Sequence, residues 1–135
     1  MKISSLASAG VLSALSGLHV AWGLGSSFPE KDRVSLADRT AGASEMPPPA
    51  PCFVVAGALL GAAALIVDVL PVESSQRRLG VGAAAAILGL RGATGVLGKT
   101  DMIVPWTPSD RFRDLDKKYY GPLCLGLSAG ALSSL

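Results

Sequence analysis

Charge is scarce in this sequence. Only 16% of its 135 residues are Asp, Glu, Lys or Arg, against about a quarter in ordinary soluble domains. Aromatic residues are also rare, at 5%, so a large aromatic core is excluded. There is one histidine, His19, and a single histidine cannot build a metal cluster. The two cysteines, Cys52 and Cys124, lie far apart and make no metal-type spacing. No metal site and no cofactor are expected. The net charge of +2 is dispersed, with no basic stripe interleaved with aromatics, so nucleic acid is not an expected partner.

Apolar residues fill the space that charge leaves. Half of the chain is hydrophobic, and the mean hydropathy is +0.46. A bilayer core is crossed by about 20 apolar residues in a helix. Ile3 to Pro29 carries no charged side chain, nor does Pro47 to Val67. Leu79 to Gly98 is apolar except for Arg91, and Tyr119 to Leu135 is uncharged. The pattern predicts a single all-α membrane domain over 1–135. It would be a four-transmembrane-helix bundle with spans near 3–24, 51–71, 79–98 and 119–135, and two long loops on one side. The first segment has some features of a secretory signal, with Lys2 ahead of an apolar stretch, but its uncharged run is too long for a signal core.

Small residues recur at helical spacing. "GALLG" (Gly57, Gly61) and "GLSAG" (Gly126, Gly130) are GxxxG motifs, and Ala9, Ser13 and Gly17 place small residues at every fourth position of the first span. Such stripes let helices approach closely in lipid. The loops are expected to differ. "MPPPAPC" (46–52) has four prolines in five residues and is expected to be stiff, extended and non-helical. In "TPSDRFRDLDKKYYGP" (107–122), Thr107 can cap a helix that starts at Pro108.

The long-loop side carries Lys31, Arg33, Arg39, Lys99, Arg111, Arg113, Lys117 and Lys118, and the other side carries Lys2, Arg77 and Arg78. The positive-inside rule therefore places the long loops in the cytoplasm and both termini outside. His19 would lie roughly 8 Å and Arg91 roughly 10 Å in from the long-loop interface, at 1.5 Å per residue. Trp22, Tyr119, Tyr120 and Cys124 fall near the same depth, while Asp68 lies toward the opposite end. An arginine at a span centre costs about 2.5 to 3.5 kcal/mol. Seven Leu, Ile and Val residues between 79 and 97 contribute roughly 2 to 4 kcal/mol in return. The third span should therefore depend on its neighbours. An unbroken helix through 112–124 would align Phe112, Asp116, Tyr120 and Cys124 on one stripe. Asp116 could then meet Arg91 at the mouth of the bundle, and Tyr120 could donate to His19 or Asp116. Gly121-Pro122 is the place where this stripe can kink.

Each of these residues also has an ordinary reading. His19, Trp22 and the tyrosines suit an interfacial aromatic belt. Asp116 beside Lys117 and Lys118 suits a solvated surface, and Cys124 suits a small apolar filler. Arg91 is the residue for which function is the default reading.

"LHVAWGLG" (18–25), "LGLRGATG" (88–95) and "DRFRDLDKKYYGPLCLGL" (110–127) resemble the bacterial domain-of-unknown-function family 3995. The pattern is a His-x-x-Trp, here His19 and Trp22, an arginine, here Arg91, and an Asp-x-x-x-Tyr-x-Pro-Leu-Cys run, here Asp116 to Cys124. "LRGATG" departs from the family's usual Leu-Arg-Ala-Ile-Gly. The resemblance implies four membrane helices in the bacterial plasma membrane and no named activity.

Three functions are compatible with these residues. One is a site for a small anionic or lipid-like ligand, built from Arg91, His19, Trp22, Asp116, Tyr120 and Cys124. An enzymatic version of it would use His19 as acid or base, although the sequence shows no nucleophile–base spacing. The alternative is a non-catalytic structural or accessory subunit, as a homo-oligomer or in a membrane complex, with the polar residues locking the bundle. Transport through Asp68, Arg91 and His19 ranks last, because mostly Ala, Gly, Leu and Val lie between them. A cavity around Arg91 would favour the site, and a filled cluster would favour the lock.

Overall fold

A computed structural model describes residues 2–135, and all regular structure among them is helical. Helix α1 spans Ile3–Gly23, α2 Arg33–Ala41, α3 Pro49–Ile66 and α4 Ser74–Val96. A 3-10 turn at Thr100–Met102 follows, then α5 at Asp110–Leu115. A π-turn at Asp116–Tyr120 joins α5 directly to α6, Gly121–Leu132. Helices α1, α3 and α4, of 21, 18 and 23 residues, are long and apolar enough to cross a membrane. The fourth expected span is divided, with only 12 residues in α6.

The helix ends follow local chemistry. Asp32 caps α2 by accepting from the Ser35 amide at 2.7 Å, and Gly42 ends it at a left-handed φ of 65°. The nonamer was expected as loop, yet "DRVSLADRTAG" carries both cap signals. Pro49 and Pro51 sit in the first turn of α3, which corrects the expectation of a non-helical segment. First-turn amides have no intrahelical partner, so proline loses nothing there. Helix α3 stops at Ile66, five residues early, and Asp68 turns the chain at a φ of 58°. Helix α4 starts five residues early because Glu73 and Gln76 form a reciprocal capping box. Ser109, not Thr107, caps α5, accepting from the Phe112 amide at 3.3 Å.

Helix α1 packs mainly on α3, and α4 on α6; α1 and α6 join the two pairs, whereas α3 and α4 meet less closely. Ala9, Leu12, Ala63, Ile66, Val81, Ala85, Leu127 and Ala131 form the main core. These are mostly small side chains, so the helices gain dispersion contact by close approach. The hydroxyls of Ser16 and Ser128 donate to the carbonyls of Ala56 and Ala85 across the two main seams, each at 2.7 Å.

The expected small-residue stripes are partly out of register. On α1 the buried face is Ser5, Ala9, Leu12 and Ser16, while Ser13 and Gly17 are exposed. A Cβ at Gly57, Gly61 or Gly126 would touch nothing within 4 Å. Gly130 is the exception, lying directly against Ser8 of α1. GxxxG therefore marks a contact face in this bundle only at that one glycine.

Helix α2 lies over the long-loop end and packs on α5. Leu36 is fully buried there with Trp22 and Cys52, which is worth about 1.5–3 kcal/mol for a leucine. At the opposite end Arg77 clamps the bundle. Its Nε donates to Leu65 O at 2.8 Å, and its Nη2 donates to Ile66 O at 3.0 Å and Ser134 O at 3.2 Å. Those carbonyls lie at or just past the ends of α3 and α6, where intrahelical donors run out; of the three, Leu65 O also accepts from the Asp68 amide, at 3.2 Å. Asp68 pairs with the same guanidinium at 3.4 Å, so it takes no part in the cluster at Arg91.

Candidate functional site: the Arg91–Asp116 cluster

The π-turn decides which side chains meet at the long-loop end. Pro122 has no N–H to give to the carbonyl four residues before it, and its ring crowds that carbonyl. Widening the turn relieves this, and the Gly121 amide bonds to Asp116 O, five residues back. The wider turn breaks the expected stripe after Asp116. Gly121, rather than Tyr120, then faces α4, where a Cβ would stand 2.8 Å from Val96 N. From there Leu125 and Ser128 continue along the α4 seam, against Gly92 and Gly89.

Asp116 is fully buried. Arg91 Nη1 donates to its Oδ1 at 2.8 Å, and the Thr100 hydroxyl donates to its Oδ2. Asp116 was expected to hang over the mouth of the bundle; the π-turn and the 3-10 turn enclose it instead. Gly95 makes the space, since a Cβ there would lie 2.5 Å from Asp116 Oδ1 and 3.0 Å from Arg91 Nη1. Arg91 also lies over the Phe112 ring, 5.9 Å from its centroid. Its side chain keeps 28% of its surface exposed, against 1% for Asp116. Cys124, half-buried, is within electrostatic reach of both charges.

The other expected members lie elsewhere. Tyr120 donates its hydroxyl to Arg39 O at 3.0 Å, not to His19 or Asp116. Its ring is 5.9 Å from Phe112, so it ties α6 to α2 beside the cluster. His19 Nδ1 bonds to Leu15 O at 2.7 Å on its own helix. A carbonyl can only accept, so Nδ1 carries the hydrogen. The His19 ring lies 4.7 Å from Trp22, whose Nε1 donates to Phe28 O at 2.7 Å. Arg33 closes this second group, donating to Trp22 O and Ser26 O. Among the described residues, no hydrogen bond or ring contact joins His19 or Trp22 to Arg91.

Sequence reasoning missed Thr100, the second donor to Asp116, because nothing local marks a threonine 16 residues away as a partner. It also missed the clearance role of Gly95, although Arg91 and Gly95 stand one turn apart in "RGATG". The chain's own donors engage both oxygens of Asp116, while Arg91 is engaged through Nη1. Among the described residues, no group of three metal-ligating side chains occurs.

The class these features define is an all-helical protein with three membrane-length apolar helices and a buried ion pair at one end of the bundle. A family model described as a protein of unknown function, DUF3995, matches residues 12–131, and the chain belongs to that family. The matched region contains all of the site residues named above. No significant match was found among curated proteins or among solved structures.

Proposed function

We propose that this chain is a four-span integral membrane protein acting as a structural or accessory subunit, with Arg91–Asp116–Thr100 as the lock of its long-loop end. The observation that carries this reading is the burial of Asp116 with both oxygens engaged from two other elements. Helix α6 completes the fourth span because helical backbone runs without a break from Asp110 to Leu132, although the π-turn divides it. Exposed apolar residues such as Val54, Leu60, Leu79, Ile87 and Leu90 would face lipid or partner helices. The excess of basic residues on the long loops supports a bacterial plasma-membrane location with both termini outside.

A thermodynamic cycle in detergent micelles tests the lock. Breaking a buried pair by removing one partner costs about 3–5 kcal/mol, whereas replacing both by apolar groups is often neutral. Arg91→Leu and Asp116→Leu should each lower the unfolding temperature, and the double variant should recover most of the loss. Single variants as stable as the wild type would refute the reading. A second reading, a ligand site, is favoured by one observation: the open side of the Arg91 guanidinium.

A further inference from the structure

The loose α3–α4 seam leaves a cleft of about 560 Å³. Val54, Val55, Leu59 and Leu65 line it from α3, and Ile87 and Leu88 from α4. Its volume falls within the usual range for ligand sites, about 300–1,000 Å³. From Val54 to Leu65 it runs about 16 Å along α3. All of its lining side chains are apolar, which suits a hydrocarbon chain; a partner helix would cover the same wall but would leave Arg91, at its end, without an anion.

One end of the cleft carries charge. Arg91 follows Ile87 and Leu88 by one helical turn, so it continues the same face of α4 toward the long loops. Asp116 is enclosed, whereas Arg91 is partly open. The neutral pair therefore presents its cationic side outward. The one hydrogen bond of this guanidinium to a protein atom, among the described residues, leaves from Nη1. Nε and Nη2 remain available, and a phosphate ester is the kind of acceptor that suits a guanidinium edge.

The geometry points to a specific site for an anionic phospholipid of the long-loop leaflet, with one acyl chain in the α3–α4 cleft and its phosphate on the outer edge of Arg91. The site rests on the membrane-spanning placement of α3 and α4 proposed above, and it goes beyond the lock by giving Arg91 a second partner.

The test uses the full chain in detergent, offered equal amounts of phosphatidylglycerol and phosphatidylcholine, with native mass spectrometry as the readout. The wild type should retain one phosphatidylglycerol per chain, preferred about tenfold, because the choline ammonium of phosphatidylcholine neutralises its own phosphate and is repelled by the guanidinium. Gly61→Leu combined with Ala84→Leu fills the cleft without touching the lock, since a Cβ at Gly61 meets nothing within 4 Å. This variant should lose the bound lipid and keep its unfolding temperature. Arg91→Lys, which commits its single nitrogen to Asp116, should retain lipid and lose most of the preference. Equal retention of the two lipids by the wild type, unchanged retention by the filled-cleft variant, or a second copy of the chain in place of lipid would overturn the proposal. Failure of the lock would appear in the unfolding temperatures and leave these ratios unchanged. Recovery of the chain from the soluble fraction would overturn both.

Discussion

Gly95 has no side chain, and the ion pair depends on that. Asp116 Oδ1 and Arg91 Nη1 occupy the place where a Cβ would project. Neither group can retreat easily, because the carboxylate is enclosed and bonded on both oxygens. Gly95→Ala should therefore destabilise the bundle by about 1–3 kcal/mol, the usual cost of overpacking, despite alanine's better helix propensity. Thermal unfolding in micelles checks this, and Gly57→Ala, on an open face, serves as the control expected to change little or to stabilise. Arg91 itself is legible from the sequence as a charge that must be satisfied. The partner choice of Asp116 is legible too, because the third and fourth spans expected from the sequence would bring both to one end. Thr100 and Tyr120 are not legible, since their partners depend on how two turns fold.

The π-turn is an element with a readable cause and an unreadable consequence. Gly121-Pro122 announces a disturbance in the helix. Whether it yields a kink, a break or a wide turn depends on the packing of Gly121 against Val96. The wide turn wins because it keeps Asp116 inside and moves Tyr120 onto the carbonyl of Arg39. Helix α2 is the opposite case. Its caps can be read, but its nine residues are too few to be stable alone, so its existence depends on Leu36 being buried beneath it.

The loop elements are tied to one another by Glu30, which accepts from Arg39 and Arg111 at 3.0 Å each. The hydrogen bond from Arg39 is the main cause that holds the Glu30 carboxyl below its ordinary range; burial opposes it, and Arg111 adds to it. Because the folded value is the lower one, the tie contributes above the unfolded carboxyl value of about 4.3 and is lost as pH falls through the folded value. Hydrogen exchange across residues 25–48 should therefore be flat from pH 8 to 5, after correction for intrinsic rates, and rise below about pH 4. Glu30→Gln should show the raised exchange at every pH.

At the scale of the whole molecule, two arginines hold the two ends of the bundle. Arg91 pairs with a carboxylate at the long-loop end, and Arg77 collects helix-terminal carbonyls at the other. Arg77→Ala should cost about 1–3 kcal/mol, because it leaves the carbonyls of Ile66 and Ser134 without a donor. Arg78→Ala, on the next residue, should cost little, and chemical denaturation compares the two. The charge asymmetry across the bundle gives a second whole-molecule expectation. A reporter active only in the cytoplasm should be silent when fused at Leu135 and active when inserted near Ser44 in the first loop.

The apolar runs, the divided charge and the lone arginine were enough to specify an all-helical chain with membrane-length helices and a polar cluster near one end. Those conclusions rest on hydropathy and on the cost of an unpaired charge, and both are properties of local composition. The tertiary structure decided which polar residues belong together. It moved His19 and Trp22 into a separate corner, sent Tyr120 to α2, and brought Thr100 and Gly95 to the ion pair. It also turned most of the glycine stripes outward and left the α3–α4 seam open. Register, close approach and enclosure are relations between helices, and they are set only when the helices pack.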